Sequence, residues 1–255
     1  MSAREVRTDL TAYRAAVAEL APLVRLGRGA QTIRVVEGRG AWWERLDDAV
    51  AFVIDEPDPA PADIHARLGA LNVPVAVVRR RLRPDVVVDA GVESVAARHV
   101  VVDAWGGRTD AAALLRDALG WARVLAGGPL SVIDRADTPT ATTLALRGPD
   151  GIGASVTRAI GGGVGGALVA TALGPRRLEV RVDTASPLAE VAFDDEGGRR
   201  VRPVRRESPE RLGLRRVLDA IDAGGLLSDL AELAADDLEL LSAGACPTFG
   251  GLRAP

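Results

Sequence analysis

Few side chains in this sequence are able to perform acid–base or nucleophilic chemistry near neutral pH. The 255 residues include 32 basic residues, and every one of them is arginine. Arginine stays protonated, so it neither accepts nor delivers a proton near neutral pH, and Schiff-base chemistry requires lysine. The histidines are His65 and His99, and the single cysteine is Cys246. Codon usage in a GC-rich genome accounts for the general lack of lysine, but selection would have kept a catalytic one.

The sequence contains no motif for a metal site or an activated nucleophile. The two histidines stand alone, and neither H-x-x-H nor C-x-x-C spacing occurs, so no metal site is predicted. A G-x-S-x-G nucleophile elbow is also absent from the sequence. Cys246 has no neighbouring histidine or basic residue that would favour its thiolate, so we assign it no catalytic role.

Two glycine patterns resemble phosphate-binding loops. Gly161, Gly163 and Gly166 fit G-x-G-x-x-G, but they lie between two predicted strands with no helix after them. We therefore interpret this stretch as a hairpin connection. Gly38 and Gly40 follow a predicted strand, but the third position is Trp43, which is too large for close helix packing.

Two arginine clusters and the tryptophans are candidates for binding. The first cluster is Arg79, Arg80, Arg81 and Arg83, and the second is Arg199, Arg200, Arg202, Arg205 and Arg206. We expect the first to be a solvated loop, with a partner contact or nucleic acid as alternatives, and the second to protect a strand edge from aggregation. Trp42 with Trp43, and Trp105 with Trp121, are candidates for stacking on a sugar, and the second pair is the candidate for a ligand pocket. Half-buried packing is the commoner fate of tryptophan and is the expectation for all four.

Composition narrows the class of protein. Hydrophobic residues make up 47%, enough for a sizeable core, and the net charge of −3 does not favour nucleic acid as a partner. A single cysteine suits a reducing compartment, and no signal peptide or apolar run of membrane-spanning length is evident. We expect a cytoplasmic protein that contacts no membrane.

Apolar periodicity predicts a different pattern of helices and strands for each half of the chain. In the first half we predict helices at residues 11–26 and 60–71, and strands at residues 32–36, 49–54, 74–78, 85–88 and 99–102. The later elements are helices at residues 111–126, 209–223 and 227–241, and strands at residues 130–133, 140–146, 154–160, 167–173, 178–182, 189–193 and 201–204. Strands apolar on both faces and alternating with helices predict a parallel sheet, and the later run predicts a largely antiparallel one.

The predicted architecture is therefore α/β with two domains. Residues 1–105 would form a shortened Rossmann-like domain and residues 106–243 an α+β domain with an open, mostly antiparallel sheet. The glycine- and proline-containing residues 244–255 would form a loose tail.

One passage resembles a known enzyme family. Residues 47–54 read DDAVAFVI; Pro57 and His65 follow, and residues 71–78 read LNVPVAVV. This resembles the strand, proline, histidine-containing helix and strand of Gfo/Idh/MocA oxidoreductases. Residues 178–198 are similar to the late strand pair of that family, and residues 209–228 to its penultimate helix and glycine turn. The resemblance covers most of the chain and implies NAD(P)-dependent oxidation of sugars or polyols.

The sequence departs from that family at its cofactor loop. The family opens with a strand and a G-x-G-x-x-G loop, whereas here no glycine precedes Gly27 and Asp9 stands where a helix should receive the pyrophosphate. We expect the first strand and the loop to be missing. Glu37, at the end of what we take as the second expected strand, is the remaining candidate for binding the ribose of NAD.

The resemblance also locates the catalytic residues. The family's lysine falls at Arg79 when counted from the preceding strand, or at Arg83 when anchored on Pro84. Its second acid–base group falls in the helix at residues 111–126, which contains Asp117 and no histidine. An arginine at the lysine position cannot take the proton released when an alcohol becomes a ketone.

These departures favour a homologue that has lost turnover and binds no cofactor. We expect it to be a partner or regulatory subunit of an oxidoreductase assembly, joined to a second copy or a homologous subunit through the C-terminal sheet. The open alternative is an active NAD(P)-dependent sugar or polyol oxidoreductase with an unusual residue set.

Overall fold

The computed structural model describes residues 3–29, 31–91, 95–161, 166–184 and 189–244. Gly162–Gly165 of the glycine pattern, Cys246 and most of the expected tail lie outside these ranges. The first part of the chain contains five strands, β1 (Arg4–Arg7), β2 (Val24–Leu26), β3 (Thr32–Glu37), β4 (Ala51–Asp55) and β5 (Val75–Val78). Three helices accompany them, α1 (Thr11–Glu19), α2 (Ala62–Leu68) and α3 (Pro84–Ala90).

The five strands form one parallel sheet in the order β2-β1-β3-β4-β5. β4 and β5 are buried along nearly their whole length, as their continuous apolar sequences predict. A parallel sheet of this kind opens at the carboxyl ends of its strands, where ligands bind in related α/β folds. The predicted Rossmann-like sheet is confirmed.

The start of this sheet corrects two expectations. β1 is a paired interior strand, so the expectation that the first strand is missing is wrong. The predicted helix at residues 11–26 ends at Glu19, and its last three residues form β2. Pro22 explains the early end, because proline has no N–H and disfavours helical geometry in the residue before it.

The second part of the chain forms an eight-stranded sheet. Its strands are β6 (His99–Gly106), β7 (Ser131–Asp137), β8 (Ala141–Arg147), β9 (Gly153–Ile160), β10 (Gly166–Leu173), β11 (Arg177–Asp183), β12 (Ala189–Asp195) and β13 (Gly198–Val201). The order is β13-β12-β11-β10-β6-β9-β8-β7, and every pairing is antiparallel except that of β6 with β9. The mostly antiparallel sheet is confirmed.

Helix α4 (Ala111–Ala126) covers one face of the second sheet. Leu114, Leu119 and Trp121 of α4 pack with strand residues such as Val102 and Leu168 in the largest apolar cluster. The opposite face keeps part of its surface in solvent, because alternate residues of β10 are only partly buried. The sheet is therefore open on one side.

The last two helices, α5 (Pro209–Ala223) and α6 (Asp229–Ser242), return to the first sheet. Leu214 of α5 packs with Val53 of β4, and Leu233 of α6 packs with Phe52. Leu240 of α6 belongs to the core of the second sheet. Helix α6 thus packs on both sheets, although we expected residues 106–243 to form one separate unit.

Two further sequence predictions differ from the structure. The predicted strand at residues 85–88 is helix α3, which begins with Pro84 at its first turn and Asp85 beside the N-terminus. Proline and an acidic residue both favour a helix start there, and they outweigh the β-propensity of three valines. The division expected after residue 105 falls inside β6, which is an interior strand of the second sheet.

In the described part of the chain, no helix is long and apolar enough to cross a membrane.

Candidate functional site

Arg79 lies at the carboxyl end of β5 and points between the two sheets. Its Nε donates to Asp117 Oδ1 at 2.8 Å, and its Nη1 donates to Asp236 Oδ2 at 2.6 Å. Its Nη2 donates to the carbonyl oxygen of Arg116 at 3.0 Å. All of these groups are buried. The structure thus brings together Asp117 and Arg79, which is one of the two candidates for the lysine position.

The charge state of Arg79 is fixed by these contacts. Burial alone would lower the pKa of its guanidinium, but Asp117 and Asp236 more than offset that effect, so the pKa is raised. A group with a raised arginine pKa stays protonated at any physiological pH. Arg79 can therefore hold the two carboxylates in place but cannot transfer a proton.

Arg83, the other candidate for the lysine position, lies away from this contact. Its guanidinium binds both oxygens of Asp85 and the carbonyl oxygen of Glu207, at the start of α3. The side chain therefore joins α3 to the segment before α5.

A second buried layer extends the network from Arg79 into the first sheet. Arg116 donates to the carbonyl oxygen of Pro57 at 2.6 Å and lies 3.7 Å from Asp237. Asp237 in turn is 3.0 Å from Nε2 of His65, which is buried in α2. His65 therefore helps to position α6 and lies apart from any open surface.

Glu56 is a site residue that sequence reasoning missed. It follows β4 with a left-handed backbone, φ 49°, which is uncommon for a residue other than glycine. Its carboxylate accepts from the backbone N–H of Arg80 and lies 3.6 Å from Arg81. Burial, and then the nearby Asp117, raise the pKa of Glu56. Strained backbone and a raised carboxyl pKa at a sheet's carboxyl edge are the signals of a functional position.

Asp236 and Asp237 were missed for a different reason. They lie in α6, and Asp236 is 157 positions from Arg79 in the sequence. Nothing in a helical pattern indicates that these two carboxylates face inward to arginines. Arg123 of α4 also binds Asp236, at 2.7 Å, which gives that carboxylate two guanidinium partners.

The first arginine cluster is not a solvated loop, so that expectation is wrong. Arg79, Arg81 and Arg83 are buried, and Arg80 is partly buried against Asp55 and Glu210. Each guanidinium has at least one carboxylate partner, which is how proteins make buried charge tolerable. The loop after β5 is thus a set of internal ion pairs.

The connection between β1 and α1 does not form a glycine-rich cradle. It consists of residues 8–10, and its local hydrogen bond runs from the N–H of Leu10 to the side chain of Thr8. Asp9 is fully exposed and caps nothing, and the helix begins without a side-chain cap. A pyrophosphate normally approaches such a helix through glycine backbone, so these residues do not fit that group.

Glu37 does not occupy the position that we assigned to it. It ends β3, which is the third strand and lies on the opposite side of β1 from β2. A ribose-binding acid would instead follow β2, where Gly27 and Arg28 stand. Glu37 itself is exposed.

The Gly38–Gly40 loop serves packing and an internal carboxylate. A Cβ on Gly38 would lie 2.3 Å from the backbone of Pro57, so glycine is required for the close approach of two loops. The N–H of Gly40 donates to Asp58 at 2.8 Å, and Arg39 binds the same carboxylate at 3.2 Å. The carboxylate of Asp58 thus accepts the hydrogen bonds that this loop would otherwise offer to a bound phosphate.

The tryptophans do not converge on one pocket. Trp121 is fully buried, and its indole N–H donates to the carbonyl oxygen of Arg81 at 2.6 Å. Trp105 lies on the other face of the second sheet and is 46% exposed. Trp42 is buried and meets Trp43 edge to face, as expected for packing.

These residues together form a buried arginine–carboxylate network between the sheets, made of Glu56, His65, Arg79, Arg81, Arg116, Asp117, Arg123, Asp236 and Asp237. Such a network can bind the two sheets and α6 to one another. Among the described residues, no cluster of histidine, cysteine and acidic side chains has the arrangement of a metal site.

Comparison with known proteins supports the fold. No family model matches the sequence, and no curated protein matches it. UDP-N-acetylglucosamine 3-dehydrogenase GnnA from Acidithiobacillus ferrooxidans superposes with a TM-score of 0.67 at 13% identity, over 95% of this chain and 96% of that one. KijD10, a 3-ketoreductase from Actinomadura kijaniata solved with NADP and TDP-benzene, gives 0.63 at 14% identity, over 95% and 96%.

A dehydrogenase (MviM) from Clostridium difficile gives a TM-score of 0.62 at 9% identity, over 94% of this chain and 88% of that one. At these identities the likeness concerns the fold, and it extends over nearly the whole chain. The protein therefore has the two-sheet fold of the Gfo/Idh/MocA-type dehydrogenases.

Proposed function

We propose that this protein is a non-catalytic homologue of Gfo/Idh/MocA oxidoreductases that acts as a partner or regulatory subunit of an oxidoreductase assembly. The observation that carries the proposal is the placement of Arg79. At Arg79, one of the two positions that match the family's lysine in sequence, a buried guanidinium is held by Asp117 and Asp236. Alcohol oxidation must release a proton to a base, and an arginine of raised pKa is unable to serve as that base.

The cofactor side of the site supports the same proposal. The β1–α1 connection lacks glycine, and the exposed carboxylate of Asp9 at the start of α1 repels a pyrophosphate. Glu37 is displaced to the wrong side of β1 for ribose binding. A chain without the proton acceptor and without the phosphate loop lacks two groups that the family's reaction requires.

The open face of the second sheet is the surface proposed for the partner. Ala167, Val169 and Thr171 of β10 project from this face and carry no charge, while the residues between them are fully buried on the α4 side. The strip is uncharged, although its neighbours in the register on the same face include Asp103, Glu179 and Arg181. An uncharged strip on an open sheet face is a common part of a protein interface. We infer that a second copy of this chain or a homologous subunit packs there.

An active NAD(P)-dependent sugar or polyol oxidoreductase is the second candidate, and one observation favours it. Glu56 lies near Asp117 at the carboxyl edge, and its pKa is raised by burial and by Asp117. A carboxyl group tuned upward in this way is suited to general acid–base work. Of the proteins that share the fold, GnnA is named a UDP-N-acetylglucosamine 3-dehydrogenase, and KijD10 is named a 3-ketoreductase and was solved with TDP-benzene and NADP.

Titration with NADH and NADPH distinguishes the two candidates. Binding is followed by the fluorescence of the nicotinamide and of the four tryptophans. The non-catalytic proposal predicts no saturable change up to about 1 mM, a concentration at which family enzymes of ordinary affinity are saturated. Micromolar binding of either dinucleotide would favour the active enzyme.

A further inference from the structure

A cavity of about 520 Å³ lies at the edge of the second sheet, far along the strand order from the network at Arg79. Its walls are Arg176, Phe193, Arg200, Val201, Arg202 and Pro203, with the end of α3 beside them. Phe193 and Arg200 are opposite each other in the β12–β13 register, so both face the helix-covered side. The cavity forms where the sheet extends beyond its helical cover.

Three guanidinium groups converge on this cavity. Those of Arg176 and Arg202 each lie 5.6 Å from the centre of the Phe193 ring. Arg176 and Arg200 share a single carboxylate, that of Asp195. Arg202 forms no salt bridge with any residue that the structure describes. Among the described residues that line the cavity or pair with its arginines, three positive charges and one negative charge leave a net charge of +2.

The unsatisfied hydrogen-bonding capacity of these arginines lies at the same place. Nε of Arg176 is buried and has no partner within the described structure. Each guanidinium carries five N–H donors in a planar fork that matches the oxygens of a phosphate or carboxylate. The cation–π contacts of two of these guanidinium groups with the Phe193 ring restrict their motion, which reduces the entropy lost on binding an anion.

Arginines on the other face of the same strands are already neutralised. Arg177, Arg181 and Arg199 all bind the carboxylate of Glu179, and Arg199 also binds Glu190. Arg205, beyond the cavity, forms a two-point pair with Asp89. Most arginines at this edge outside the cavity are thus already neutralised, while Arg206, which does not line the cavity, forms no salt bridge among the described residues.

We propose that this cavity binds a small organic phosphate monoester. A monoester carries close to two negative charges above its second pKa of about 6, which matches the net charge of the cavity. A guanidinium group binds two oxygens of one phosphate through two parallel N–H donors. Phe193, Val201 and Pro203 provide an apolar wall for the organic substituent. The site lies in the second sheet, so the proposal does not depend on whether the chain is an oxidoreductase.

Calorimetric titration with phenyl phosphate tests this site. We expect saturable binding at pH 7.5 with a dissociation constant of roughly 0.1–1 mM, as for a small ligand with few contacts. Binding should weaken at least about 5-fold at pH 5.0, where the monoester is a monoanion. Phenyl sulfate, which is a monoanion at both pH values, should bind at least about 5-fold more weakly than phenyl phosphate at pH 7.5.

Variants connect the binding to the cavity. Arg202→Gln and Arg200→Gln should each weaken phenyl phosphate about 10-fold or more, because each removes a charge-assisted contact. Arg181→Gln, on the opposite face, is the matched control and should change the affinity less than about 2-fold. Arg202 and Arg181 are exposed, so both variants are expected to fold, and circular dichroism verifies this.

Three results would overturn the proposal. The first is the absence of saturable heat up to about 10 mM phenyl phosphate. The second is equal affinity for phenyl phosphate and phenyl sulfate, which would mean that the cavity does not select a dianion. The third is an equal loss of affinity in Arg181→Gln and Arg202→Gln, which would mean that phosphate binds the surface by general charge.

Discussion

Arg79 illustrates what a buried guanidinium requires of its surroundings. Removing one partner of a buried ion pair typically costs about 3–5 kcal/mol, because the other charge is left uncompensated. Arg79 avoids this cost with Asp117, Asp236 and the carbonyl oxygen of Arg116. A lysine ammonium is a point charge without a planar fork, so it would not reproduce these three directions. The arginine at this position therefore allows α4 and α6 each to place a buried carboxylate beside it.

The residues differ in how far the sequence indicates them. The meeting of Arg79 with Asp117 follows from the family resemblance, which assigns both positions to one site. Asp236 and Glu56 do not follow, because the first comes from a distant helix and the second is recognised by its backbone conformation and burial. The predicted place of Glu37 fails because the resemblance does not reveal that β2 is a separate, short strand.

Glu56 gives the protein a specific pH dependence. Its pKa in the folded protein is raised above the ordinary value of 4.5, so between these values the folded state binds more protons than the unfolded state. The free energy of unfolding should therefore fall as pH rises from about 4.5 through the raised pKa. Glu56→Gln removes this contribution.

The measurement is the free energy of unfolding of both proteins by urea between pH 4 and 8. The stability of Glu56→Gln relative to the native chain should increase with pH across this range. A difference that is constant or decreases with pH would contradict the raised pKa.

Helices and strands are predicted well where the apolar pattern is long. They are predicted poorly where the residues at the start of a short segment determine its structure. Residues 111–126 and 209–223 are helices with the predicted bounds, because their apolar residues keep one period for four turns. Residues 85–88 were predicted as a strand from three valines, but Pro84 and Asp85 start a helix there. In such a short segment the capping residues outweigh the propensity.

Helix α4 contains Gly120, which has no side chain and so leaves room for the buried side chains of Arg79 and Asp236. A Cβ on Gly120 would lie 2.6 Å from Leu82 and 2.8 Å from both Arg79 and Asp236. Alanine usually stabilises a helix interior by about 0.5–1 kcal/mol relative to glycine. Here the clash should dominate, and we expect Gly120→Ala to destabilise the protein by about 1–3 kcal/mol, as overpacking does.

Urea unfolding of Gly120→Ala tests this prediction. Gly225→Ala is the control, because a Cβ there would meet nothing within 4 Å and its φ is not positive. It should change the stability by less than about 1 kcal/mol. A stabilised Gly120→Ala would show that the network has room to move, contrary to the close packing described.

On the scale of the whole molecule, the chain builds two sheets and then returns with α5 and α6 to the first. The predicted alternation of elements gives the two kinds of sheet but not the strand order within either, and the fold class is confirmed by structures of similar fold. The return of α5 and α6 was not predicted, because an amphipathic helix reveals which face is buried but not against which sheet. This return delivers Asp236 and Asp237 to the arginines.

The open face of the second sheet leads to a prediction about assembly. If a second copy packs on this face, the native chain should sediment as a dimer at tens of micromolar, and Val169→Arg should convert it to a folded monomer. Val169 projects from the open face between Asp103 and Arg181 in the register. An added arginine there replaces a small apolar side chain with a long charged one, next to Arg181 on the same face.

Val88→Arg is the matched control for that experiment, since Val88 lies on α3 and is 75% exposed. It should leave the sedimentation unchanged. A native chain that sediments as a monomer would reject self-association and leave only a homologous subunit as partner.

The central claim is that Arg79, one of the two positions proposed to match the family's lysine, is a structural support, and a double-mutant cycle of Arg79 and Asp117 tests it most directly. The free energy of unfolding is measured for Arg79→Met, Asp117→Asn, the double variant and the native chain. We predict a loss of about 3–5 kcal/mol for each single variant and a coupling energy of about 2–3 kcal/mol. The exposed pair of Arg205 and Asp89 should show a much smaller coupling. A coupling below about 0.5 kcal/mol, together with an unchanged stability of Arg79→Lys, would contradict the account.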